Sequence, residues 1–261
     1  MNLLNTGFDS NSTYYEYNLN VNNIPNVFIH GVGLDNTMWA PQKKFFKNKQ
    51  VIFYDLFNHG KSKKEFTTLN FEIFNKQLND LLDHLSISKC NLIGFSLGAL
   101  IAQHFSSQNY EKINKLIIIG SVYQRSQQQI NNVTLRYKQA TNGHDISLDS
   151  VNRWFSKEYL DKHPETKKIF LDLLGRKKNV DFLPAYKVFM ESDKYPLNFK
   201  NFLMPTLIMT GENEVGSTPE MSKILHQEIK NSELFIIPKA KHMATFEKDD
   251  LVNNEISKFI I

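Results

Sequence analysis

Two rhythms of apolar and polar positions alternate along this chain. Short apolar runs at 26–30, 51–55, 91–93, 116–119, 206–210 and 233–237 are bounded by polar or turn-forming residues, which predicts buried strands. Between them apolar residues return every three or four positions. Phe71, Phe74, Leu78, Leu81, Leu82 and Leu85 make one such stripe, and Leu97, Leu100, Ile101 and Phe105 another. Each is the signature of a helix resting one face on a sheet. Further helices are predicted over 39–47, 219–229 and 251–259. Strands that alternate with helices pair in parallel through crossover connections. A parallel sheet is covered on both faces, which explains the run Leu116-Ile117-Ile118-Ile119 with no polar alternation. A tyrosine-rich strand is predicted at 13–18, on a sheet edge, with a turn at 22–25 before the next strand.

The rhythm breaks between 121 and 201. No strand is predicted there, and short helices are read at 130–140, 148–155, 165–174 and 182–190. Trp154, Phe155, Tyr159, Phe170, Phe182, Tyr186 and Phe189 crowd into this stretch. Most of them must form a small helical core. The stretch nevertheless interrupts the alternation directly after a strand, so it reads as a helical lid over the sheet's C-terminal edge, supplying apolar pocket walls such as Trp154. The expected division is a core of 1–120 and 202–261 with a lid of 121–201. Arg125 and Arg136 are lid cations that a substrate carboxylate could meet, the alternative for each being a solvated surface role.

One stretch carries specific chemistry. Gly94-Phe95-Ser96-Leu97-Gly98 fits Gly-x-Ser-x-Gly, with a predicted strand before it and a predicted helix after it. A strand-to-helix turn that tight forces the serine into strained backbone and leaves no room for side chains two residues either side. The serine hydroxyl then stands clear at the sheet edge beside a helix N-terminus, where N–H groups and partial positive charge collect. The bland alternative is an ordinary turn with a helix-capping serine. Other strand ends add to it. His30-Gly31-Val32-Gly33 follows the second strand and can aim backbone N–H groups at an anion. Gly211-Glu212-Asn213-Glu214 follows the strand at 206–210, and His242 lies in the loop after the last strand. His59 reads as a turn residue, and His84 and His104 as surface or boundary residues on their helices.

Composition narrows the classes. Apolar residues make up 41% of 261, enough for a buried core. The net charge of +4 is spread along the chain in short lysine pairs. A nucleic-acid binder concentrates such charge in a patch, so no nucleic-acid partner is expected. The single cysteine, Cys90, can form no internal disulfide and reads as a buried thiol. No signal peptide is read at the start and no apolar run reaches membrane-spanning length. The expectation is a soluble cytoplasmic protein with no membrane partner. The eight histidines show no zinc-like spacing, so no metal or cofactor is expected.

Ser96, a carboxylate at Glu214 or Glu212, and His242 thus stand at C-terminal strand ends, in the order nucleophile, acid, histidine. His242 would take the Ser96 proton and the carboxylate would orient the imidazole. Glu214 is preferred, because Glu212 is so close to the strand end that it can point away. The N–H groups of Val32 and Leu97 are the expected oxyanion donors.

With these residues the chain resembles the α/β-hydrolase-fold serine hydrolases over nearly its whole length: His30-Gly31, the Asp55…His59-Gly60…Ser62 turn, Gly94–Gly98, Gly211…Glu214 and His242. Met38-Trp39-Ala40-Pro41-Gln42, Arg153-Trp154-Phe155 and the region 210–219 are most similar to the 3-oxoadipate enol-lactonase-like branch. It departs from that branch at His30-Gly31, where Asn-Ser is usual, and at Glu214, where Asp is usual. The resemblance implies an α/β fold with a mostly parallel central sheet, helices on both faces and a helical lid inserted after the sixth strand. It also implies hydrolysis of a small carboxylic ester or lactone through an acyl-enzyme. A carbon–carbon bond hydrolase of the same fold is an alternative, although that group usually continues Gly-x-Gly-Pro-Gly where this chain has Val32-Gly33-Leu34-Asp35. A small-molecule receptor that keeps the fold without turnover is another.

Overall fold

Strands form where the apolar runs lie. The computed structural model describes residues 4–19, 23–175 and 181–261. Its eight strands are β1 (Asn5–Phe8), β2 (Tyr14–Asn18), β3 (Asn26–Ile29), β4 (Val51–Tyr54), β5 (Cys90–Phe95), β6 (Ile113–Ile119), β7 (Thr206–Gly211) and β8 (Ser232–Ile237). They form one sheet in the order β1-β2-β4-β3-β5-β6-β7-β8. β1 and β2 are antiparallel additions, and every pair from β4 to β8 is parallel. The strand order reverses direction between β3 and β5. At such a switch point the loops leaving two strands part and open a crevice beyond their C-terminal ends.

The helices are α1 (Ala40–Phe45), α2 (Phe71–His84), α3 (Leu97–Gln108), α4 (Gln127–Thr141), α5 (Ser147–Trp154), α6 (Lys157–Lys162), α7 (Pro164–Gly175), α8 (Leu183–Met190), α9 (Pro219–Glu228), α10 (Ala244–Glu247) and α11 (Asp249–Ile260). Alternate residues of each strand serve opposite faces. Val27, Ile29, Leu92, Leu116 and Ile118 pack with α2, α3 and α9 on one side. Phe28, Phe53, Ile93, Ile117 and Met209 pack with Trp39, Val252 and Ile256 on the other. α2 starts where the Asn70 side chain accepts from the Ile73 N–H, and it buries the apolar stripe read from the sequence. Cys90 is fully buried, and burial pushes its thiol up to about 12.

Helices α4 to α8 lie between β6 and β7, over the crevice. α4 packs on α8, and α5 on α7. Residues 176–180 of the expected lid, and Asn22 of the expected turn, lie outside the described residues.

Four sequence readings are corrected. β1 was not expected, because Asn5-Thr6-Gly7-Phe8 has no apolar pattern; pairing with β2 makes it a strand. β2 is therefore no edge strand, and Tyr14 and Tyr15 are buried. The short helices α6 and α10 show no apolar periodicity in the sequence, each being less than two turns long. His104 is buried and stacks on Phe71 at 3.8 Å, since α3 is covered on nearly every side.

Candidate active site

Ser96 links β5 to α3 in backbone that side-chain-bearing residues rarely adopt, φ 54° and ψ −115°. The two glycines around it are required by contact. A Cβ on Gly94 would lie 2.3 Å from the Gly98 carbonyl oxygen, and one on Gly98 would lie 2.2 Å from that of Ile29. The serine is thereby held at the mouth of the crevice. Leu97 is the first residue of α3, so its N–H has no acceptor within the helix. Val32, from the loop after β3, lines the same cavity as Ser96.

The acid and the histidine come from neighbouring strands. β7 ends in Gly211, where a Cβ would lie 2.4 Å from the carbonyl oxygens of both Ala240 and Lys241. That close approach, with a hydrogen bond from the Asn213 N–H to the Ala240 carbonyl, holds the two loops together. His242 Nδ1 then meets Glu214 Oε2 at 2.7 Å. Burial alone would push the Glu214 carboxyl up. The His242 imidazole and the N–H groups of Gly216 and Ser217 outweigh it and hold the carboxyl at about 2. An ionised Glu214 accepts a hydrogen bond from Nδ1–H and leaves Nε2 as the ring's acceptor. Glu212, by contrast, is exposed and accepts from the Lys239 N–H. Ser96, Glu214 and His242 all line one cavity of ≈ 70 Å³, with Phe95 packed against the imidazole at 4.7 Å.

The alpha/beta hydrolase fold family matches residues 27–249. The chain belongs to the α/β-hydrolase family. It is 26% identical over 239 residues, 90% of each chain, to the (E)-2-((N-methylformamido)methylene)succinate hydrolase of Acinetobacter baylyi. It is 22% identical to that organism's 3-oxoadipate enol-lactonase 2, over 88% of this chain and 86% of the relative. The enol-lactonase structure from Burkholderia xenovorans LB400 superposes with a TM-score of 0.85 at 20% identity, covering 98% of this chain and 99% of that one. The family match and the relatives place the molecule among the α/β hydrolases, and the structural likeness shows the same fold.

His59 and His30 support this hydrolase's loop after β3. His59 Nε2 accepts from the Gly33 N–H at 3.0 Å, and its Nδ1–H donates to the Phe57 carbonyl. His30 Nε2 accepts from the Leu56 N–H, and its Nδ1–H donates to the Gly31 carbonyl. The rings meet edge to face at 5.1 Å. Each is fixed as the neutral Nδ1–H tautomer by a backbone N–H pointing at Nε2. Below them Asp55 accepts from the Asn36 N–H and side-chain amide and from the Lys61 N–H, so the 55–62 turn wraps a buried carboxylate. Burial pushes the Asp55 carboxyl up despite those donors.

The lid contributes Arg136 from α4 and Ser150, Arg153 and Trp154 from α5. The Trp154 ring lies 6.1 Å from that of His242. Arg136 Nε is buried without a hydrogen-bond partner, and among the described residues no carboxylate forms an ion pair with either guanidinium. Burial, and then the charge of Arg136, push the Arg153 guanidinium down. In the sequence Arg153 stands out only within the Arg153-Trp154-Phe155 stretch that carries the family resemblance. Its signal was the i, i+3, i+4 spacing of Ser150, Arg153 and Trp154, which puts all three on one helix face.

Arg125 is a correction. It does not line the Ser96 cavity. Its Nε donates to Asp193 Oδ2 at 2.6 Å, and its Nη2 donates to the Phe189 and Met190 carbonyls and to Ser192 Oγ. These acceptors lie at and just beyond the C-terminus of α8, where carbonyls carry partial negative charge. Arg125 therefore clasps the start of the lid to its end. Among the described residues no helix is long and apolar enough to cross a membrane.

Proposed function

We propose that the chain is a serine hydrolase of a small carboxylic ester or lactone. The observation that carries this is His242, held by Glu214 at 2.7 Å in the cavity that Ser96 lines. In this reading Ser96 Oγ attacks the carbonyl while His242 Nε2 takes its proton. The tetrahedral oxyanion is held by the N–H groups of Val32 and Leu97, each donor contributing on the order of a few kcal/mol. His242 then gives the proton to the leaving alcohol, and water, activated by the same imidazole, releases the acyl group. These steps use groups of the chain and one water molecule.

The small cavity supports a small acyl group. Arg136 and Arg153 support one that carries carboxylate, because a guanidinium without an ionic partner in a half-buried cavity gains most from an anion. The two Acinetobacter baylyi relatives are named for a substituted succinate and for an oxoadipate enol-lactone, both carboxylate-bearing molecules. Trp154 supplies an apolar wall beside the imidazole.

The test pairs a serine-directed phosphonate with p-nitrophenyl acetate and a panel of carboxylate-bearing esters and lactones, on wild type and Ser96→Ala. Labelling and turnover should both vanish in the variant. Turnover that survives Ser96→Ala would remove the nucleophile from its role. Labelling of wild type without turnover of any ester or lactone would favour a receptor instead.

A further inference from the structure

The loop that carries His242 is held by the lid. The residue before it, Lys241, donates its N–H to Glu247 Oε2 at 2.7 Å. The residue after it, Met243, donates its N–H to the Trp154 carbonyl at 2.9 Å. The other Glu247 oxygen, Oε1, accepts from the Ser156 N–H at 2.5 Å. Ser156 caps α6, and Trp154 ends α5, so both belong to the elbow between these lid helices. A carboxylate accepting two backbone N–H bonds makes two short charge-assisted bridges. The elbow that presents Arg153 and Trp154 to the cavity and the loop that presents His242 are thus bonded at two points on either side of the imidazole.

We propose that Glu247 is a positioning residue that fixes His242 to the α5–α6 elbow, so that the histidine and the lid wall facing the substrate behave as one body. This rests on the serine-hydrolase reading above. Glu247 touches no substrate atom in it and acts only through the loop. Its loss should therefore appear in the rate of the chemical step and leave substrate binding largely intact, because small misplacements of a base cost rate steeply.

Three variants and a combination test it, each assayed per active site titrated by phosphonate burst, so that any misfolded fraction is removed from the count. Glu247→Gln puts an NH₂ group against one of the two N–H donors. It should lower kcat about 10- to 100-fold with KM within about threefold. Ser156→Pro removes the other end of the bridge without touching Glu247. The backbone accepts it, since Ser156 has φ −68° and Phe155 before it is extended. It should lower kcat similarly. Ser156→Ala loses only the cap hydroxyl and keeps the N–H, so it should stay within about twofold of wild type. Glu247→Gln combined with Ser156→Pro should be no slower than the slower single variant, because both remove one bridge. Wild-type kcat per titrated site in Glu247→Gln and Ser156→Pro would overturn the proposal, and so would Ser156→Ala falling as far as Ser156→Pro. Ser96→Ala separates the two readings. If it abolishes turnover while the Glu247 variants stay fast, only the positioning role fails; if it does not, the hydrolase reading fails with it.

Discussion

Glu214 and His59 each reach the site through a hydrogen bond to a single partner that faces it, His242 for Glu214 and the Gly33 N–H for His59. Glu214 fixes the His242 tautomer, so Glu214→Gln should lower kcat by about 10²–10⁴-fold with the fold intact, whereas Glu212→Gln should stay within about twofold. Steady-state rates on one ester, with circular dichroism as a control, decide between them. His59 acts one step further out. Replacing it by leucine leaves the Gly33 N–H without its acceptor, a buried loss of about 1–3 kcal/mol beside the proposed oxyanion loop. The expected result is a rate of phosphonate inactivation about 10- to 100-fold lower at Ser96, read as a second-order constant. The sequence pointed at Glu214 because spacing from a strand end is a local property. It could not point at His59, whose partner lies 26 residues away on another loop.

Among elements, the lid is where pattern and geometry diverged. The break in the βα alternation marked a helical stretch between β6 and β7, and helical spacing marked four of the five α-helices among its described residues. Which cations face inward was not legible. Arg125 and Arg136 look alike in sequence, yet Arg125 is consumed by Asp193 and the end of α8 while Arg136 keeps a buried, unpartnered Nε. The difference is set by where the segment before α4 meets the end of α8, through contacts between residues 64 to 68 positions apart. If Arg136 and Arg153 hold a substrate carboxylate, Arg136→Met and Arg153→Met should each raise KM for a carboxylate-bearing ester about 10- to 100-fold, the size of a hydrogen bond to a charged group. KM for a neutral ester of the same length should move less than about threefold. An equal rise for both esters would assign the arginines to packing.

At the scale of the molecule, two buried titratable groups each make stability fall in acid. Burial holds the His104 imidazole down to about 4, below its ordinary 6.5. Below about 6.5 the unfolded chain takes up that proton first, so stability falls as pH drops from 6.5 to 4. Glu214 adds a second loss between its ordinary 4.5 and about 2, where the folded carboxylate is finally protonated. Urea unfolding should therefore show stability nearly constant between about pH 7 and 8 and declining below about 6.5. His104→Gln should flatten the segment from 6.5 to 4 by up to about 3 kcal/mol, even if it lowers the plateau. An unchanged slope would mean that His104 is not held neutral in solution. The same scale separates what the chain's own order determined from what folding decided. Apolar periodicity determined the strands and the helices between them, and glycine spacing the elbow around Ser96, because each depends on residues within a turn or a strand of one another. The pairing of β1 with β2, the burial of His104, the support of Gly33 by His59 and the bridge from Glu247 to the lid were decided only by tertiary structure. Each joins groups that are distant in sequence, and no local pattern records which distant N–H a side chain will meet.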